Sequence, residues 1–128
     1  MSGDKNYDQA VRLFEQVHGQ GKVQEMVGGL GKISPELARF SVEWIFGEIY
    51  ADTTLDLKIR ELLNLASLVA IGAEPQIKNH IRGALNVGCT EKEIKAAILQ
   101  MIIIVGFPKV VNAMCICEEI FQLTKEKK

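Results

Sequence analysis

Leu55–Asn86 reads LDLKIRELLNLASLVAIGAEPQIKNHIRGALN, and this stretch decides the fold. Between Leu55 and Ile71, apolar side chains stand at Leu57, Ile59, Leu62, Leu63, Leu65, Ala66, Leu68, Val69 and Ile71. They fall on nearly all sides of a helix, which predicts a central element covered by neighbours or by another subunit. Lys58, Glu61, Asn64 and Ser67 recur every three residues and draw one winding polar line along it. A buried carboxylate on that line needs a partner, because desolvating it unpaired is costly. The line is therefore either a structural hydrogen-bond network or the wall of a polar pocket. Gly72 ends the helix as a left-handed cap, and Glu74–Pro75 opens a second one. Its core face is Ile77, Ile81, Ala84 and Leu85, and His80 lies beside that face. A neutral imidazole there is a suitable proton carrier near pH 7, although a lone histidine is more often structural.

The flanking sequence extends the helical pattern in both directions. Ala10, Val11, Phe14 and Val17 give helical spacing from Asn6 to His18. Residues 19–31 are glycine-rich, with a short helix expected around Val23–Val27 between breakers. No GxxxxGK[ST] spacing occurs there and no strand precedes it, so a connection or lid outweighs a phosphate loop. Ser34–Pro35 starts a helix expected to bury Leu37, Phe40, Trp44, Ile45 and Ile49. Asp52, Thr53 or Thr54 is positioned to cap the central helix. Gly88 ends the His80 helix, and Thr90–Glu93 forms a capping box for the next. That helix gathers Ile94, Ala97, Ile98, Met101, Ile102 and Val105 on one face, widened by Ile103 and Ile104. The apolar excess suggests a subunit interface. After Gly106–Phe107–Pro108, a last helix runs from about Lys109 to Leu123 and ends in the solvated tail Lys125–Lys128. With no strand-like alternation, the expected fold is an all-α, single-domain bundle of about six helices.

Composition limits the function. The chain has 128 residues, 48% apolar and 24% charged, which fits one globular domain. A formal net charge of −1, without a basic cluster, disfavours nucleic acid as a partner. The polar opening MSGDKNYDQA lacks a secretory pattern, and the longest apolar runs are far too short to span a membrane. Three cysteines, an odd number, fit a reducing cytoplasm better than a disulfide framework. Cys115 and Cys117 point to different sides of a helix, so they do not readily pair or chelate, and both are expected as small buried residues. Cys89, in a turn, is a candidate surface thiol. Two histidines without clustered cysteines or carboxylates argue against a metal site.

Together these residues resemble the carboxymuconolactone decarboxylase family, which includes the alkylhydroperoxidase D-like proteins. The resemblance covers roughly residues 35–121. It is carried by HIRGALNVGCTEKEIKAAILQ (His80–Gln100), the Gly106–Pro108 break, Phe40, Gly47 and the opening Leu55–Glu61. The peroxidase branch has a C-x-x-C pair ending four residues before the motif histidine, and here those positions are Ala73 and Gln76. Glu61 and His80 occupy the proton-relay positions. The decarboxylase branch matches better, through Arg82, Ala84, Leu85 and Asn86 after the histidine. This chain departs from it at Ile104, where a tyrosine is usual, and at Lys58, where an arginine is common.

The resemblance implies an all-helical homo-oligomer, commonly a hexamer, acting on a small-molecule acid or lactone without cofactor or metal. Decarboxylation of a carboxylated lactone would use His80 as proton donor and Glu61 to orient it or share the proton. Arg60, Arg82 and Lys58 are candidates to hold substrate carboxylates, with Trp44 as an apolar wall. Two alternatives stand beside this reading. One is thiol-dependent peroxide reduction through Cys89, Cys115 or Cys117; the other is a non-enzymatic oligomeric module that binds a small acid.

Overall fold

The computed structural model describes residues 5–127, and all of the regular structure among them is helical. The start of the polar opening segment and the final residue of the lysine-rich tail lie outside the described residues. Two compact units are delimited, one ending at Asp56 and one beginning at Leu57.

In the first unit, α1 spans Lys5–His18 and buries Ala10, Phe14 and Val17, following its helical spacing. The glycine-rich segment is folded into two short helices, α2 (Lys22–Gly28) and α3 (Leu30–Ile33). Ser34 caps α4 (Pro35–Arg39) as expected, its hydroxyl accepting from the Leu37 amide at 3.2 Å, with proline in the first turn. From there the chain departs from the expected α-helix. Phe40–Ile49 is a π-helix, closed at its end by the Tyr50 amide donating to the Ile45 carbonyl at 2.8 Å.

The wider turn changes which residues face inward. Ala38, Val42, Phe46 and Tyr50 are buried, spaced by four, whereas Leu37, Phe40, Trp44 and Ile49 are exposed. An i→i+5 ladder holds more residues per turn than an α-helix, so the inward stripe follows a longer period than 3.6. The expected core face is thereby displaced by one or two residues. Phe46 is the hub, with ring centroids 5.0 Å from Phe14 and 4.2 Å from Tyr50. Gly47 faces α1, where a Cβ would meet the Ala10 Cβ at an ordinary contact distance of 3.6 Å.

The second unit contains α5 (Leu57–Ile71), α6 (Glu74–Asn86), α7 (Glu91–Gln100), α8 (Ile102–Val105) and α9 (Phe107–Glu126). Asp52 does not cap α5; its carboxylate accepts from the Thr54 amide at 2.8 Å and closes a turn upstream of the helix. Within the single chain, α5 buries one stripe, Glu61, Leu65 and Val69. Ile59, Leu63 and Ile71 are exposed. Gly72, at φ 72°, takes the left-handed conformation that lets the chain reverse into α6. The Cys89 thiol, just beyond α6, contacts the Lys58 carbonyl near the start of α5 at 3.7 Å, so the two helices run antiparallel.

On α6 the buried residues are Ile77, Ile81, Gly83 and Ala84. Ile77, Ile81 and Ala84 join Ile94 and Ile98 of α7 and Val110, Ala113, Cys117, Ile120 and Phe121 of α9 in one core. The Thr90–Glu93 capping box is formed, with reciprocal bonds of 3.0 and 2.9 Å. The apolar run after it is not one helix: α7 ends at Gln100 and α8 follows Met101. Consequently Ile102, Ile103 and Ile104 are exposed, and Ile94 and Ile98 carry the buried face. Gly106, at φ 87°, separates α8 from α9, which begins at Phe107 with Pro108 in its first turn.

Candidate active site

The buried stripe of α5 contains one residue that hydrophobic burial does not explain. Glu61 sits one turn before Leu65 and two before Val69, and it is fully buried. A carboxylate there requires hydrogen bonds that replace water. It has them on both oxygens. Oε1 lies 2.7 Å from His80 Nδ1, and Oε2 accepts from Asn64 Nδ2 at 3.3 Å. The antiparallel packing of α5 against α6 sets the first contact, and the i,i+3 spacing on α5 sets the second.

His80 is the outer member of this line. Its side chain is 22% exposed, compared with 0% for Glu61, so the pair runs from the interior to the accessible surface. Facing an ionised carboxylate, which only accepts, the imidazole donates from Nδ1. The imidazole is held by a buried acceptor that fixes its orientation. Such an arrangement can deliver a proton to a bound molecule or remove one.

The other expected site residues are distributed differently. Lys58 directs its ammonium group to Glu93 at 3.3 Å, which engages it with a carboxylate of its own chain. Arg60 is half-buried, one position before Glu61, and Arg82 is exposed two positions after His80. Trp44 belongs to the first unit, where it is 53% exposed rather than core. It lines an open groove of about 500 Å³ with Arg39, Phe40, Glu43 and Glu48. Asn64, absent from the expected site residues, is brought to Glu61; its three-residue spacing was the sequence signal.

The cysteines also depart from expectation. Cys89 is buried rather than a surface thiol, whereas Cys115 is exposed rather than buried. Cys117 is buried as expected, and desolvation pushes its thiol up to about 12. It therefore remains protonated and poorly nucleophilic at neutral pH. Among the described residues, no group of three His, Cys, Asp or Glu side chains is arranged to hold a metal ion.

A carboxymuconolactone decarboxylase family profile matches residues 35–119. The chain is 28% identical over 122 residues to 4-carboxymuconolactone decarboxylase of Acinetobacter baylyi, covering 95% of this chain and 91% of that protein. It is 27% identical over 113 residues to nitrosuccinic acid decarboxylase of Metarhizium robertsii, covering 88% and 79%. An uncharacterised 15.0 kDa protein from the nqo9–nqo10 intergenic region of Paracoccus denitrificans is 33% identical over 92 residues, covering 70% of this chain and 69% of its own. The buried glutamate–histidine pair thus lies within a chain that belongs to the carboxymuconolactone decarboxylase family.

Proposed function

We propose that the protein is a cofactor-independent carboxy-lyase acting on a carboxylated lactone, such as 4-carboxymuconolactone, or on a related small acid. The observation that carries this reading is the 2.7 Å contact between fully buried Glu61 and partly exposed His80. The two decarboxylase relatives support the reaction class, and their different substrates keep the choice between lactone and acid open to assay.

The reaction breaks the bond between the carboxylate carbon and the substrate skeleton. Carbon dioxide leaves, and the electron pair remains on the substrate as an enolate-like anion. His80 donates its Nε2 proton to that carbon, while Glu61 holds Nδ1–H and so fixes the ring orientation. A proton from water then restores His80. Arg60 and Arg82 are proposed to bind substrate carboxylates, for which the planar guanidinium fork is suited. Lys58 joins them by exchanging Glu93 for substrate.

The same reading includes a homo-oligomer, a hexamer by resemblance. Ile71, Ile103, Ile104 and Phe107 are each more than 60% exposed in the single chain, which supports burial by another copy. Light scattering on the purified protein tests the assembly.

The activity test is a paired assay. Loss of 4-carboxymuconolactone with carbon dioxide release, independent of thiol, supports the proposal, with nitrosuccinate as a second substrate. Peroxide consumption with dithiothreitol, but no decarboxylation of either acid, would overturn it.

A further inference from the structure

We infer that Asn64 is a positioning residue, which holds the Glu61 carboxylate in the orientation that aims His80 at substrate. This inference rests on the acid–base reading of the Glu61–His80 pair. Its basis is the division of labour between the two oxygens of one buried carboxylate. Oε1 faces His80 Nδ1 at 2.7 Å, while Oε2 receives the Asn64 amide at 3.3 Å.

The chemistry of the amide sets its direction. A carboxylate oxygen offers only acceptor sites, so the NH₂ end of Asn64 must face it; the carbonyl end would oppose two acceptors. The amide thereby restrains rotation of the carboxylate about its last bond. If that plane turned, Oε1 would leave the line of Nδ1, and the imidazole would lose both its orientation and its fixed tautomer. Asn64 is half-buried, so solvent competes with this bond less than at an open surface.

A placement by α5 follows from sequence spacing alone. Residues three apart stand on one helix face, and the shared backbone fixes Asn64 relative to Glu61. His80 meets an acceptor that Asn64 holds from the other oxygen. The order Asn64, Glu61, His80 runs toward increasing participation in the reaction: only His80 is proposed to touch the reacting carbon.

The test compares full-length Asn64→Leu, Asn64→Asp and His80→Gln proteins with the parent, using decarboxylation kinetics and NMR of the His80 ring nitrogens and Nδ1 proton. Asn64→Leu is expected to lower kcat by about ten- to a hundredfold while KM stays within about twofold, the pattern of a misaligned group rather than lost binding. The Nδ1–H resonance should broaden or shift as the tautomer is released. Asn64→Asp keeps the size of the side chain but removes the donor and adds a second carboxylate, so it should impair both readouts and serves if the leucine variant does not fold.

Unchanged kcat and an unchanged His80 resonance in a folded variant would overturn the inference, even if thermal stability fell. His80→Gln separates that failure from failure of the underlying reading. Inactivity of His80→Gln with normal activity of both Asn64 variants removes Asn64 alone; full activity of His80→Gln removes the acid–base reading, and an unchanged resonance then removes Asn64 as well.

Discussion

Glu61 and His80 lie on consecutive antiparallel helices, with the fully buried carboxylate 2.7 Å from the imidazole Nδ1. Glu61 occupies a position on the core stripe of α5 that Leu65 and Val69 fill one and two turns later. The helix therefore carries a charge-capable group where packing alone would favour an apolar one. Such a position is costly for stability and useful for chemistry.

Loss of the imidazole should separate activity from folding. In His80→Gln the new amide can still donate to Glu61, so the core remains satisfied. Turnover is expected to fall at least about a hundredfold, the scale of a lost proton donor. Decarboxylation assays with circular dichroism of the same sample check this; wild-type turnover in a folded variant excludes His80 from the reaction.

Removing the carboxylate and removing its partner should have opposite consequences. Glu61→Leu replaces a buried ionisable group with an apolar one, so stability should hold or rise while activity is lost. His80→Ala removes the group paired with Oε1 of the buried carboxylate and should cost about 3 kcal/mol, as when one member of a buried pair is deleted. Urea denaturation of both variants measures the contrast. Equal destabilisation would show that burial of Glu61 is not the controlling term.

Thiol reactivity should be confined to one cysteine in the native protein. Cys115 is exposed, whereas Cys89 and Cys117 are buried. A disulfide reagent is expected to label one thiol quickly at pH 8, and Cys115→Ser should abolish that phase. Burial holds the Cys117 thiol near 12, so raising the pH to 9 should not recruit it while the fold persists. Rapid labelling of two thiols in native protein would contradict this assignment.

The capping box couples α7 to pH. The Thr90 backbone amide, followed by Lys58, holds the Glu93 carboxyl below its ordinary value. A depressed folded-state value adds stability above the unfolded value and loses it as pH falls through the lower, folded one. Glu93→Gln should therefore narrow the stability difference between neutral and acid pH, as followed by acid unfolding. Thr90→Ala should cost about 1 kcal/mol at neutral pH by removing the cap to the Glu93 amide. An unchanged acid transition in Glu93→Gln would rule out this linkage.

What the sequence by itself determined was local. Helical periodicity identified α1, α5, α6 and α9, and Ser34, Gly72 and the Thr90–Glu93 box marked boundaries because caps and reversals depend on neighbouring backbone groups. The family motif supplied Glu61 and His80 as a candidate pair. It did not identify Asn64 as the donor to the second oxygen.

Tertiary structure decided which of several possible faces became interior. The π-helix rotated Trp44 outward and placed Val42 and Phe46 inside, a change of winding that an α-helical period could not register. Packing of α5 on α6 selected Glu61 from the polar line and left Lys58 to pair with Glu93. Cys89 and Cys115 exchanged their expected exposures for the same reason. Composition and spacing describe each side chain's relation to its own helix; only packing determines what water is removed from it and which distant atom takes water's place.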